Sequence, residues 1–224
     1  MKYVSTRGSA PVLTFEDAML SGLARDGGLY VPETIPTMSA DDIRALHGLS
    51  YEETAFRVMR PFVGDSFSDE TFGDLISKAY AGFGHGARAP LVQLAPGHFL
   101  LELFHGPTLA FKDVAMQIIA QLYDYMLAKS DKRLSIVCAT SGDTGGAAAA
   151  AFAGAEQVDL FILHPFERVS PVQRLFMTTT GAENVHNIAI DDDFDVCQSI
   201  VKTLFADRDF VAEAKLSGVN SINW

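Results

Sequence analysis

The sequence is short of several things, and each shortage removes a class of function. It has only two cysteines, Cys138 and Cys197, in 224 residues. That is too few for a secreted disulfide scaffold. Cys138 stands in an apolar strand-like run and Cys197 in a helical pattern, so both read as core residues. Basic residues are outnumbered, 17 against 28 acidic, giving a formal net charge of -11. A nucleic-acid partner is therefore not expected. A phosphorylated small molecule stays open, because local donors rather than net charge decide such sites. No apolar run reaches the ~18 residues of a membrane span. No cationic segment followed by an apolar one opens the chain. The expectation is a cytoplasmic protein without a membrane partner. Repeats and low-complexity segments are missing too. The acidic run Asp191-Asp192-Asp193 has no histidine or spaced carboxylate nearby. It precedes a helical pattern, where acids are favourable, so it reads as a cap and no metal site is expected.

What is present fits an ordinary globular chain, with 48% hydrophobic and 20% charged residues. Tyr3 to Gly8 reads as a short strand running into a turn. Thr14 resembles an N-cap with Glu16 and Asp17 behind it. Arg25-Asp26-Gly27-Gly28 is a turn leading to an extended segment that stops at Pro32. Three helices follow, opened by Ser39, Ser50 and Ser68; Ser50 with Glu53 has the spacing of a capping box. Gly82-Phe83-Gly84-His85-Gly86 interrupts the pattern. A mainly helical N-terminal domain over 1–85 is expected, followed by the first part of an α/β catalytic domain over 86–224. Ser5-Thr6-Arg7-Gly8 admits two readings, a solvated turn or a weak anion site.

From residue 91 the character changes. Leu91 to Leu94 and Phe99 to Phe104 read as a hairpin. A helix after Lys112 presents Val114, Ile118, Leu122 and Met126 on one face. Leu134 to Ala139 is a strand of nearly unbroken apolar character, as in a parallel sheet covered on both faces. Helix 147–153, strand 159–163, helix 171–178, strand 185–190 and helix 194–205 continue the alternation. Strands alternating with helices imply right-handed crossovers and a parallel sheet with flanking helices.

Two stretches could carry chemistry. In His105-Gly106-Pro107-Thr108-Leu109-Ala110-Phe111-Lys112-Asp113 a lysine stands where a Gly-Pro turn meets a helix. A cation there opposes the helix dipole while Asp113 favours it, so the two influences compete. The residue is either a solvated lysine or, sheltered by Leu109, Ala110 and Phe111, an amine able to form a Schiff base. His105 either orients the turn or is an ordinary core or surface histidine. The second stretch, Thr140-Ser141-Gly142-Asp143-Thr144-Gly145-Gly146, follows a buried strand and precedes a helix. Its hydroxyls, glycines and free N–H groups suit a carboxylate or phosphate; a plain tight turn is the other reading. The spacing is neither a Walker loop nor GxGxxG.

These motifs resemble the threonine synthase family, the lysine motif His105 to Asp113 among them, and their combination is highly specific. Ser5-Thr6-Arg7-Gly8, Gly22 to Pro32, Ala139 to Gly145 and Asn220-Ser221-Ile222-Asn223-Trp224 are similar to that family in the same order, and His164-Pro165 with Arg168-Val169-Ser170 also fits. The resemblance covers the whole chain. It implies fold type II of the pyridoxal-phosphate enzymes, the tryptophan synthase β-like fold. It implies pyridoxal 5'-phosphate on Lys112, which would act as base and acid once released. The substrate would be O-phospho-L-homoserine, converted with water to L-threonine and phosphate. By the same resemblance Thr140, Ser141, Gly142 and Thr144 would hold the substrate carboxylate, Asp143 would stand near the cofactor's ring hydroxyl, and Asn220 and Ser221 would contact the substrate phosphate. Ser5-Thr6-Arg7 is a signature without an assigned role. The family's motif continues with an arginine and a long remainder, whereas this sequence ends at Trp224. The expectation is a truncated chain, inactive by itself. The alternatives are another fold type II lyase, or a silent fragment or homologue serving as a binding module.

Overall fold

The computed structural model describes residues 1–219. Strands β1 (Lys2–Ser5), β2 (Leu13–Thr14) and β3 (Tyr30–Pro32) form an antiparallel sheet in the order β2-β1-β3. β1 and β3 answer to the short strand and the extended segment read from the sequence, whereas β2 and the pairing of the three were not read from it. The strands have four, two and three residues, too few to display an alternating pattern.

The helices begin where the sequence places caps. The Thr14 hydroxyl accepts from the Asp17 N–H at 3.2 Å and opens α1 (Phe15–Ser21). Capping boxes open α2 (Ala40–Arg44), from Ser39 with Asp42, and α3 (Tyr51–Val63), from Ser50 with Glu53. Ser68 caps α4 (Asp69–Tyr80). The aromatic rings of Phe15, Phe67 and Phe72 meet beneath these helices.

The hairpin of β4 (Leu91–Ala95) and β5 (His98–Leu101) forms as read. Its apolar side chains are open to solvent, with Leu91 63%, Phe99 50% and Leu101 52% exposed. Then come α5 (Asp113–Ser130), β6 (Leu134–Ala139), α6 (Asp143–Phe152), β7 (Val158–Pro165), α7 (Pro171–Thr178), β8 (Val185–Ile190) and α8 (Phe194–Ala206). Asp193 caps α8, its carboxylate accepting from the Val196 N–H at 3.0 Å. Two short elements, α9 (Arg208–Glu213) and β9 (Leu216–Gly218), were not read from the sequence.

All four strands β6 to β9 are parallel, in the order β8-β7-β6-β9. The sheet grows from β6 through β7 to β8, and β9 joins on the opposite side of β6. Open α/β sheets hold ligands at such a reversal, beyond the carboxyl ends of the strands. Alternate residues of the strands serve different faces. Ile136, Cys138, Leu160 and Ile162 join the main core, while Val137 and Leu163 meet Cys197 of α8. Covering both faces explains the continuous apolar run in β6. The main core runs without a break from Tyr3, Phe15 and Phe72 to Ile118, Ile136 and Phe152.

Candidate functional site

Lys112 is the residue just before α5, and its Nζ lies 4.6 Å from the centre of the Phe111 ring. The turn that delivers it is held by Asp113. The Asp113 carboxylate, fully buried, accepts from the Thr108 N–H at 2.8 Å and the Thr108 hydroxyl at 2.7 Å. It therefore faces back along the chain, and no ion pair joins it to Lys112 among the described residues. Burial raises the Asp113 carboxyl above its ordinary value, more than the Thr108 bonds lower it; Asp143 adds to the rise. Gly106 is required here, because a Cβ would stand 2.4 Å from the Asp113 Cβ. His105 pairs with Glu102 at 2.8 Å, and its carbonyl accepts from the Gly84 N–H at 2.8 Å. Its contribution is to tie the turn to the segment after α4.

The second stretch differs from its expected form. Helix α6 begins at Asp143 rather than at 147, so much of the supposed loop is helical. Buried Thr140 is the cause: its Oγ1 accepts from the N–H groups of Gly142 and Gly145, both at 2.9 Å. That hydroxyl is turned into the loop. The glycines admit protein neighbours rather than open space. A Cβ on Gly145 would stand 2.5 Å from Thr140 Cγ2 and 2.6 Å from Met177 Sδ. What stays available is the N–H of Asp143 and of Thr144, neither of which finds an acceptor among the described residues.

Lys112 and Thr144 line one pocket of about 580 Å³, at the carboxyl end of β6 beside β9. Cys138 and Tyr123 contribute walls; burial pushes the Cys138 thiol and the Tyr123 hydroxyl up to about 12. Both are therefore uncharged at neutral pH. Helix α8 supplies Phe194, Gln198 and Lys202, spaced at four-residue intervals on one face. Among the described residues two lysines and no carboxylate line the pocket, in a chain of net charge -11. That local balance favours an anionic occupant. The α8 face was not singled out from the sequence, because Gln198 and Lys202 belong to no motif.

Ser141 and Asp143 are exposed at the loop, and Gly142 is buried. Asn220 and Ser221 lie outside the described residues. The Ser5-Thr6-Arg7-Gly8 signature is not among the residues lining that pocket. Ser5 Oγ donates to Asp26 Oδ1 at 2.7 Å, and that carboxylate also accepts from the N–H of Ser9 at 2.9 Å and of Gly28 at 3.0 Å. Arg7 Nη1 donates to the Asp26 carbonyl at 2.9 Å. The Ser5 hydroxyl, followed by the backbone donors, holds the Asp26 carboxyl below its ordinary value. A Cβ on Gly28 would stand 2.4 Å from Ser5 Oγ. The two motifs thus form one clasp that closes the small sheet.

Known proteins are similar to this chain in sequence and fold. Residues 2–80 match the family described as threonine synthase N terminus. Over 224 residues the chain is 54% identical to the threonine synthase of Pseudomonas aeruginosa, covering 100% of this chain and 48% of that one. Identity to the Saccharomyces cerevisiae threonine synthase is 42%, with 99% and 46% covered. A crystal structure of pyridoxal-phosphate-bound threonine synthase from Brucella melitensis superposes with a TM-score of 0.93 at 56% identity, covering 100% of this chain and 48% of that one. The yeast threonine synthase structure gives 0.90 at 41% identity, with 100% and 46% covered. The chain spans about half the length of the curated relatives it matches. Residues 83–224 match the family described as pyridoxal-phosphate dependent enzyme, and the chain belongs to that family.

Proposed function

We propose that this chain carries the lysine-bearing part of a threonine synthase, converting O-phospho-L-homoserine and water to L-threonine and phosphate. The observation that carries the reading is the meeting of Lys112 and Thr144 in one pocket at the carboxyl end of β6. Its volume, about 580 Å³, lies within the ~300–1,000 Å³ usual for small-molecule sites. An amine, two open helix N–H groups and a surplus of cations fit an aldehyde-bearing, phosphorylated cofactor and an anionic substrate.

Pyridoxal phosphate, when bound, supplies an electron sink for the pair left on a substrate carbon after proton removal. The remaining work falls to the chain. Lys112 Nζ would hold the cofactor and would take and return protons at the substrate carbons. The N–H groups of Asp143 and Thr144, with the hydroxyls of Ser141 and Thr144, bind the substrate carboxylate. Thr140 and Gly142 act through the loop, the first by capping α6 and the second by admitting a neighbouring side chain. Asp143 would stand near the cofactor's ring hydroxyl, the place its motif supports. Asn220 and Ser221 contact the substrate phosphate, the reading their motif supports. We divide the chain into an N-terminal part, 1–85, and the start of the catalytic α/β part, 86–224. A cytoplasmic location accords with Cys138 and Cys197 being free thiols.

The test uses the full gene product. Phosphate release from O-phospho-L-homoserine with matching L-threonine formation, abolished in Lys112→Ala, is the expected result. Turnover of a different amino acid, with none of this substrate, assigns another lyase of the same family and overturns the reading.

A further inference from the structure

Gln173 belongs to none of the motifs above, yet it grips the loop at its centre. Its Nε2 donates to Asp143 Oδ1 at 2.6 Å. Its Oε1 accepts from the Ser170 hydroxyl at 2.8 Å, and its own N–H donates to that hydroxyl at 3.3 Å. The side chain is thus anchored on α7 before it reaches across to α6. The gap it crosses is fitted to it. A Cβ on Gly142 would stand 2.4 Å from Gln173 Cδ, and Gly142 has a φ of +142° that side-chain-bearing residues avoid.

The grip decides where a charge lies. Asp143 is exposed and opens α6. A carboxylate in a first helical turn is drawn to the open N–H groups there. Those of Asp143 and Thr144 are available among the described residues. An Asp143 side chain without its partner would fold back over them. Gln173 turns it toward α7 instead, through a bond of the short, charge-assisted kind.

We infer that Gln173 is a positioning residue that fixes the Asp143 carboxylate beside the cofactor's ring, so that the charge felt by the cofactor depends on α7. This rests on the place proposed above for Asp143. The cofactor's visible absorbance band reports that charge, because a nearby anion favours the protonated chromophore.

The experiment is a pH titration of that band in the full gene product loaded with pyridoxal phosphate. Wild type, Gln173→Leu and Gln173→Glu are compared, with thermal midpoints and cofactor dissociation constants. Gln173→Leu is expected to move the titration midpoint down by about half a pH unit or more, and to weaken cofactor binding several-fold. Gln173→Glu should match wild type at low pH, where the introduced carboxyl carries a proton to donate. It should depart from wild type as pH rises and that proton is lost. Unshifted titrations in both variants, with the wild-type band present, overturn the inference alone. A lowered thermal midpoint with an unshifted titration also overturns it, because Gln173 then only supports the fold. If Gln173→Leu does not fold, the pH dependence of Gln173→Glu decides. Absence of the band in wild type overturns the underlying site reading.

Discussion

At the scale of single residues, Asp113 shows how the lysine turn is stabilised and at what cost. Its carboxylate ties the turn through Thr108. Burial raises its pKa above the ordinary 3.8. A raised carboxyl favours the fold while protonated, and that contribution is lost as pH rises from the ordinary value through the raised one. Asp113→Asn has no such dependence. The stability of wild type relative to Asp113→Asn should therefore fall with pH across that window, measured by denaturant unfolding at several pH values. A flat difference would mean that Asp113 is not desolvated. The lysine itself was legible, because a Gly-Pro turn, apolar flanks and a helix start all lie within nine residues of sequence. The direction of Asp113 was not, since adjacency to Lys112 suggests a pairing that the backbone turn prevents. Gln173 was harder still, lying 30 positions from Asp143. Its one local signal is Ser170-x-x-Gln173, which has capping-box spacing but says nothing of a contact with another helix.

At the scale of elements, the capped helices and the β6 to β8 alternation were legible from local rules. Caps act within four residues, and a parallel sheet writes its burial into each strand. Ser50→Ala should cost about 1 kcal/mol by loss of the α3 cap, read as a shift in denaturation midpoint. The glycines of α6 carry a longer-range message. Gly145→Ala would drive a methyl to 2.5 Å from Thr140 Cγ2 and 2.6 Å from Met177 Sδ. It should cost about 1–3 kcal/mol, with a lowered thermal midpoint. Read as sequence, that glycine suggested room for an anion; in the fold it gives room to α7. Strands β1 and β3 were legible singly, but β2, β9 and the pairing of the small sheet were not, because strands of two or three residues carry no periodicity. The β4-β5 hairpin was legible as a hairpin, but not as an exposed one. Its open leucines and phenylalanine form a surface that apolar dyes should bind. Replacing Leu91 and Leu101 by Ser should lower dye fluorescence of the 224-residue chain, while leaving the helical circular dichroism unchanged.

At the scale of the whole molecule, a continuous core joins the opening helices to the parallel sheet, and the candidate pocket opens where the growth of that sheet reverses. Lysine and open helix N–H groups meet there through elements far apart in sequence, in a chain of the pyridoxal-phosphate enzyme family. The central claim is that Lys112 holds the cofactor. Borohydride reduction of the pyridoxal-phosphate-loaded gene product, followed by peptide mass spectrometry, tests it most directly. The account predicts a phosphopyridoxyl group on the peptide containing Lys112 and on no other lysine. Modification of Lys202 or another lysine with Lys112 untouched, or no modified peptide at all, would contradict it.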